Sequence, residues 1–238
     1  MQDIQAWLSQ AQAFRQSQGR PLVSLCYAQS LDGSLAARGG QRTLLSGPES
    51  SRLTHQLRAA HDAILVGVGT VLADDPQLTV RLVQGNHPQP VVLDSHLRIP
   101  LEAYILSKHP LTPWIATTPD ADPHKASALQ AIGARLLILP ADEAGRVSLP
   151  ALLECLASEG VSSLMVEGGA RVITSFLAQR LADQVALTIA PVFIGGLRAV
   201  EPDSSLSFIG QSENIFPSLT NLHYERLGND LIVWGKLG

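Results

Sequence analysis

The sequence predicts an α/β fold, a mainly parallel mixed sheet covered by helices on both faces and finished by an antiparallel C-terminal hairpin. Three observations carry the prediction. Short apolar runs alternate with helix-period segments over most of the chain. Three of those runs end in glycine or polar residues: Gly67-Val68-Gly69-Thr70, Asp94-Ser95 and Glu167-Gly168-Gly169. In a parallel sheet such ends share one edge, where ligands bind. Near the C-terminus, His223–Arg226 and Leu231–Gly235 flank Leu227-Gly228-Asn229-Asp230, a hairpin signal.

Residues 3–17 are expected to form a helix capped by Asp3, with Trp7, Leu8, Ala11 and Phe14 on one face. Pro21–Tyr27 is expected as a buried strand running into the turn Ser30-Leu31-Asp32-Gly33. After a polar loop at Ala37–Arg42, Ser46 fits an N-cap, Pro48 the first turn and Glu49 the capping box of a helix reaching about Ala60. Leu53, Leu57 and Ala60 form its apolar face, with His55 and Arg58 elsewhere. Asp62–Gly67 is a second strand, followed by a short helical turn through Leu72. Later strands are expected at Pro90–Ser95, Trp114–Thr118, Arg135–Leu139, Ser162–Val166 and Asp183–Val192. Helices are expected at Pro123–Ile132, Leu149–Ser158 and Arg171–Leu181, and a surface loop at 201–219.

The length of 238 residues and 45% hydrophobic content suffice for one larger domain or two small ones. A net charge of −4, without a basic stripe interleaved with aromatics, argues against nucleic acid as a partner. Two cysteines, Cys26 and Cys155, exclude a disulfide framework and a cysteine-ligated zinc site, and no metal is expected. The N-terminus carries no basic region followed by an apolar run. Val185–Leu197 is broken by Pro191, Gly195 and Gly196 and is too short to span a bilayer. A soluble, cytoplasmic protein without a membrane partner is expected.

Chemistry concentrates at the three strand ends. Backbone N–H groups at a glycine turn that opens a helix converge on an anion, and two such turns suit a pyrophosphate. Gly67-x-Gly69 is no full dinucleotide fingerprint, because Leu72 occupies the third glycine position. Ser95 with Arg98 would suit a further phosphate, such as the 2′-phosphate of NADPH. Arg98 also reads as a solvated loop residue. There is no Gly-x-Ser-x-Gly, Cys-x-x-Cys or His-Glu-x-x-His, and the seven histidines are scattered, mostly in expected loops or on a polar helix face. A nicotinamide cofactor brings its own hydride, so few reactive side chains are required. Asp32 reads as a turn former or a general acid. Asp74-Asp75 reads as a turn with a ribose contact or a magnesium site. Cys26 reads as a small buried residue or a nucleophile.

One family joins these motifs. Ser30–Gly33, Leu57–Ala59, Asp62–Arg81, Val92–Ser95, Val166–Gly169 and Ala190-Pro191 together resemble the RibD C-terminal domain family, the reductases of riboflavin biosynthesis, over about residues 21–236. The resemblance implies a dihydrofolate-reductase-like three-layer α/β/α sandwich, with residues 1–20 as an N-terminal helical extension and 21–238 as the reductase domain. It implies NADPH-dependent reduction of the ribosyl side chain of 5-amino-6-(5-phosphoribosylamino)uracil, or of its 2,5-diamino-pyrimidinone counterpart, to the ribityl form. It places cofactor contacts at Thr70, Asp74, Ser95, Gly168, Gly169, Ala170, Arg171, Val172 and Ile173. Substrate contacts fall on Arg58, Leu78, Arg81 and Glu167, with Glu167 at the reacting sugar. A phosphorylated ribosylaminopyrimidine partner and a homodimer follow from the same resemblance. The deaminase domain of bifunctional members is expected to be absent, since no zinc motif precedes residue 21.

The sequence departs from many bacterial members at three positions. Cys26 stands where lysine is common, Arg42 where serine is common, and Leu44 where an aromatic is frequent. These departures leave two alternatives open: a reductase of the same fold acting on another substrate, and a nucleotide-binding module without turnover.

Overall fold

A computed structural model describes residues 6–37, 43–200 and 217–238. Within it the chain forms two compact units. The first comprises Met1–Leu22 with His55–Met165, the second Val23–Thr54 with Val166–Gly238.

The first unit is built on four parallel strands: β3 (Ala63–Gly67), β4 (Gln89–Leu93), β5 (Trp114–Thr117) and β6 (Arg135–Ile138). Val66 pairs with Val92, Val92 with Ile115, and Ile115 with Leu136. The continuous apolar runs follow from this arrangement, because a parallel strand covered on both faces has no polar side to alternate with. Every residue of β3 is buried. Helices α3 (Val68–Asp74), α4 (Tyr104–Ser107), α5 (Pro123–Ala131) and α6 (Leu149–Ser158) also belong to this unit. Asp122 caps α5 by accepting from the His124 amide, and Ser148 caps α6 through the Ala151 amide. One apolar cluster gathers Ile64, Val66, Val68, Val71, Leu78, Val92, Leu97, Ile99 and Ile115.

The expected N-terminal helix is interrupted. Residues 6–8 are helical, and helix α1 spans Ala11–Gln18 after a turn at residues 9–10, where the Ser9 hydroxyl bonds the Ala6 carbonyl in competition with the helix. Asp3, the expected cap, lies outside the described residues. Ala11 is buried and Trp7, Leu8 and Phe14 are half-buried, so the apolar face is as expected. Arg15 bonds Ser162 Oγ at 3.1 Å and the Ala157 carbonyl at 2.9 Å.

In the second unit, β1 (Leu22–Ser30) runs parallel to β8 (Gln184–Ala190), with Cys26 opposite Ala186. Strand β11 (Asp230–Leu237) pairs antiparallel with β8, and β10 (Leu219–Leu227) antiparallel with β11 through the expected hairpin, whose turn is the two residues Gly228-Asn229. Taken across the chain, strand pairing is mostly parallel, with antiparallel pairing at the C-terminal end. A second, two-stranded sheet of β2 (Ser34–Ala36) and β9 (Leu197–Arg198) carries no period strong enough to predict it. A Cβ on Gly196 would drive into the Ala36 carbonyl, so glycine is required for that approach.

Helix α2 (Pro48–Ala60) begins one residue later than its sequence signal. Gly47, not Ser46, occupies the cap position, since its carbonyl accepts the Ser51 amide at 2.9 Å. The Gly47 amide itself donates to the Asp230 carboxylate, a partner from the C-terminal hairpin, at 2.8 Å. The apolar face also differs: Leu53 and Leu57 are buried, Ala60 is exposed, and His55 is buried. The boundary between the units falls inside β7 (Ser163–Gly168), between Met165 and Val166. That strand runs two residues past its expected end and takes in Glu167 and Gly168. Helix α7 (Ala170–Ala178) follows at once.

Candidate active site

In the first unit, two arginines distant in sequence meet on one residue. Arg58, in the last turn of α2, donates through Nη1 to the Thr79 carbonyl at 3.0 Å. Arg81 donates through Nη1 to Thr79 Oγ1 at 2.9 Å. Two guanidinium groups bonded to one residue have the donor chemistry that suits an anion with several oxygens, such as a phosphate. Leu78, next to them, has φ +52° and a fully buried side chain. A leucine in the left-handed region is unusual. Its side chain is committed to the apolar cluster.

Thr70 lies half-buried in α3, and Asp74 closes that helix. Asp75 takes the left-handed cap at φ +42° and accepts the Tyr104 amide at 2.7 Å. Asp75 is thus part of a structural turn. Among the described residues no cluster of three or more His, Cys, Asp and Glu side chains could hold a metal ion.

The loop after β4 carries Ser95 and Arg98. Buried Asp94 ties the loop back on itself by accepting the Ile99 amide at 2.8 Å, while Leu97 adopts φ +52°. The Ser95 carbonyl accepts the Thr117 and Thr118 hydroxyls at 3.1 and 2.9 Å, and Ser95 Oγ accepts the Val147 amide at 3.0 Å. Arg98 extends from this fixed loop and is exposed. Val68, Val71, Leu78, Leu97 and Ile99 share one apolar cluster. The segments bearing Thr70, Arg81 and Arg98 are therefore rooted in the same core.

In the second unit, Glu167 is half-buried in the last turn of strand before two glycines. Gly168 has φ +138° and Gly169 φ +88°, backbone that side-chain-bearing residues rarely adopt. Gly169 caps α7 with no side-chain partner, and the first turn holds no acidic residue. Instead Arg171 places a cation at the positive end of the helix dipole, a cost that a bound anion removes. Ala170 and Ile173 are buried on the inner face, while Val172 is half-buried and Arg171 exposed.

Two further residues of this unit settle alternatives the sequence leaves open. Asp32 accepts four hydrogen bonds, from Ser30 Oγ, Ser34 Oγ and the Ile194 and Gly195 amides, at 2.6 to 2.9 Å. The Ser30 hydroxyl first, then the other donors, holds its carboxyl well below the usual carboxylate range, so it is an ionised structural knot and no general acid. Cys26 is buried in β1. Burial, reinforced by the Glu167 carboxylate, pushes its thiol up and keeps it protonated, which removes it as a nucleophile. Of the other departures, Leu44 is exposed and Arg42 lies outside the described residues.

Thr79, His55 and His87 carry no motif that sequence reasoning could isolate. His55 accepts the Arg81 amide and His87 the Val80 amide. His55 and His61 are buried, contrary to their expected polar setting.

The comparisons show the family. The family model for the RibD C-terminal domain matches residues 21–233. A 2,5-diamino-6-ribosylamino-4(3H)-pyrimidinone 5′-phosphate reductase from Archaeoglobus fulgidus is 40% identical over 187 residues, covering 74% of this chain and 83% of that protein. The riboflavin biosynthesis protein RibD of Bacillus amyloliquefaciens is 37% identical over 215 residues, 90% of this chain, but this chain spans only 56% of the relative's length. Among solved structures, Acinetobacter baumannii RibD superposes with a TM-score of 0.78 at 26% identity, covering 94% of this chain and 60% of that one. The riboflavin biosynthesis reductase Rib7 of Saccharomyces cerevisiae gives a TM-score of 0.68 at 28% identity, over 92% and 91% of the two chains. The family-model match over nearly the whole length and the relatives of 37–40% identity have one reading: the chain belongs to the RibD C-terminal domain family.

Proposed function

We propose that this chain reduces the ribosyl side chain of a phosphorylated ribosylaminopyrimidine to the ribityl form, with NADPH as the reductant. The observation that carries the reading is the meeting of Arg58 and Arg81 on Thr79, which suits the sugar phosphate named in the relatives' substrates. The substrate is 5-amino-6-(5-phosphoribosylamino)uracil or its 2,5-diamino-pyrimidinone counterpart. Glu167 contacts the sugar hydroxyls, and the Leu78 backbone borders the same ligand.

The donor set fits a dinucleotide. The uncapped amides at the start of α7, with Gly168, Gly169, Ala170, Arg171, Val172 and Ile173, suit its pyrophosphate. Thr70 and Asp74 are assigned to its ribose side, and Ser95 with Arg98 to the 2′-phosphate that distinguishes NADPH from NADH. When bound, the nicotinamide supplies the hydride. The chain's residues bind, orient and hold the two partners in register, the main demand of such a reaction. Residues 1–20 act as an extension to a reductase domain at 21–238. The enzyme works in the cytoplasm as a homodimer, without nucleic acid or membrane as a partner. No described helix is long and apolar enough to cross a membrane.

The test is NADPH oxidation, followed by absorbance, with the enzymatically generated ribosylaminopyrimidine phosphates as substrates. A kcat/KM that falls at least about 100-fold in Glu167→Gln and in Arg81→Ala supports the reading. Tight NADPH binding without turnover on either pyrimidine removes it. It would leave a reductase for another substrate, a reading that the neutral Cys26 beside Glu167 favours.

A further inference from the structure

Residues 75–81 form neither helix nor strand, yet Leu78, Thr79 and Val80 are buried. Buried amides outside a ladder must find other acceptors. Here the acceptors are two imidazole rings. The Val80 amide donates to His87 Nδ1 at 3.0 Å, and the Arg81 amide donates to His55 Nδ1 at 2.9 Å. The Thr79 carbonyl in turn accepts from Arg58. Three successive residues are thus held by three side chains in place of a neighbouring strand. His55 and Arg58 stand three residues apart on α2, so one helix face presents both to the same segment. Accepting at Nδ1 assigns the ring proton to Nε2 in both histidines.

We propose that His55 and His87 are positioning residues for substrate recognition: their Nδ1 atoms fix the backbone of Val80 and Arg81 and so aim the Arg81 guanidinium. This rests on the reading of Arg81 as a substrate contact. The Arg81 side chain starts from a backbone amide pinned by His55 and ends on a hydroxyl of the same segment, so its direction is set at both ends. A ring that merely satisfied a buried amide would affect stability and leave recognition alone. An aim-setting ring has a different signature, since misplacing a binding group raises KM with kcat unchanged.

The experiment compares His55→Leu, His55→Asn, His87→Leu and His87→Asn with Arg81→Ala in the full chain. Asparagine can return an acceptor where Nδ1 stood, and leucine cannot. Each leucine variant is expected to raise KM for the ribosylaminopyrimidine phosphate about tenfold, with kcat and the NADPH KM within about twofold of the parent. The asparagine variants should recover most of that loss. Amide hydrogen exchange over residues 79–81, measured without ligand, should quicken in the leucine variants and not in the asparagine ones. If His55→Leu fails to fold, His87→Leu, at a half-buried site, gives the same readout. Unchanged exchange at 79–81 in the leucine variants overturns the clamp whatever Arg81 does. A lower Tm with unchanged substrate KM, while Arg81→Ala raises that KM, reduces the rings to a structural role. An unchanged KM in Arg81→Ala itself brings down the substrate reading of Arg81, and the recognition role of both histidines with it.

Discussion

Arg58 and Arg81 reach the same residue from different elements, one ending on the Thr79 carbonyl at 3.0 Å and the other on its hydroxyl at 2.9 Å. The two contacts can be separated, because only one uses the side chain of Thr79. Thr79→Val keeps the carbonyl for Arg58 and removes the acceptor for Arg81. A charge-assisted hydrogen bond is worth about 1.5–3 kcal/mol, so substrate KM should rise by about tenfold or more with kcat little changed. Steady-state kinetics at saturating NADPH check this. An equal fall in kcat would instead place Thr79 at the reacting atoms.

Coenzyme choice is predicted to reside in the loop after β4. Ser95 is fixed there by Thr117, Thr118 and Val147, and Arg98 extends from the same loop. Arg98→Ala should raise the NADPH KM about tenfold and leave the NADH KM unchanged, since only NADPH carries the 2′-phosphate. Parallel titrations with the two coenzymes decide it. Equal effects on both would move Arg98 away from that phosphate.

Asp32 makes stability depend on pH in a defined direction. Its folded pKa is depressed, led by the Ser30 hydroxyl bond, so its contribution is fully present above the unfolded value of about 3.9. The contribution is lost as pH falls from there through the lower folded value. Asp32→Asn should lower Tm clearly at pH 7, and the gap to the parent should narrow as pH drops below about 4. Thermal melts across pH 7 to 3 measure both. A gap that stays constant would mean that Asp32 is not ionised in the fold.

The two thiols should behave differently toward alkylation. Both have pKa values raised by burial, but Cys26 is buried and Cys155 only half-buried. In native protein at pH 8, iodoacetamide should label Cys155 slowly and Cys26 only after unfolding. Mass spectrometry of peptides spanning each residue reads this directly. Native labelling of Cys26 would contradict its enclosure next to Glu167.

The layered architecture was legible because its signals are local. Leu149–Ser158 matches its expected span residue for residue, and Gly228-Asn229 forms the turn its composition indicates. Alternating strand and helix periods placed Glu167 and its glycines correctly at a strand end. What stayed illegible depends on contacts distant in sequence. His55 lies on what looked like a polar face, and its partner, the Arg81 amide, cannot be inferred from spacing. The Gly47 amide at the start of α2 finds its partner in Asp230, from the far end of the chain. The β2–β9 pair is too short to carry a period. Asp32 was marked as a turn residue by the glycine after it, but its hold on Ile194 and Gly195 lies 162 and 163 residues away.

The pairing of β1 with β8 has a consequence for biosynthesis. Val23 donates its amide to Asp183, which stands 160 residues later, and Ser24–Ser30 pair in parallel with Gln184–Ala190. On the ribosome, β1 emerges early and waits without that partner while the whole first unit is translated. The first unit, by contrast, has every residue it needs once Met165 has emerged. Nascent chains released shortly after that point should show a protease-resistant first unit beside a cleavable Val23–Thr54. The second unit should gain resistance only when the C-terminal hairpin is complete.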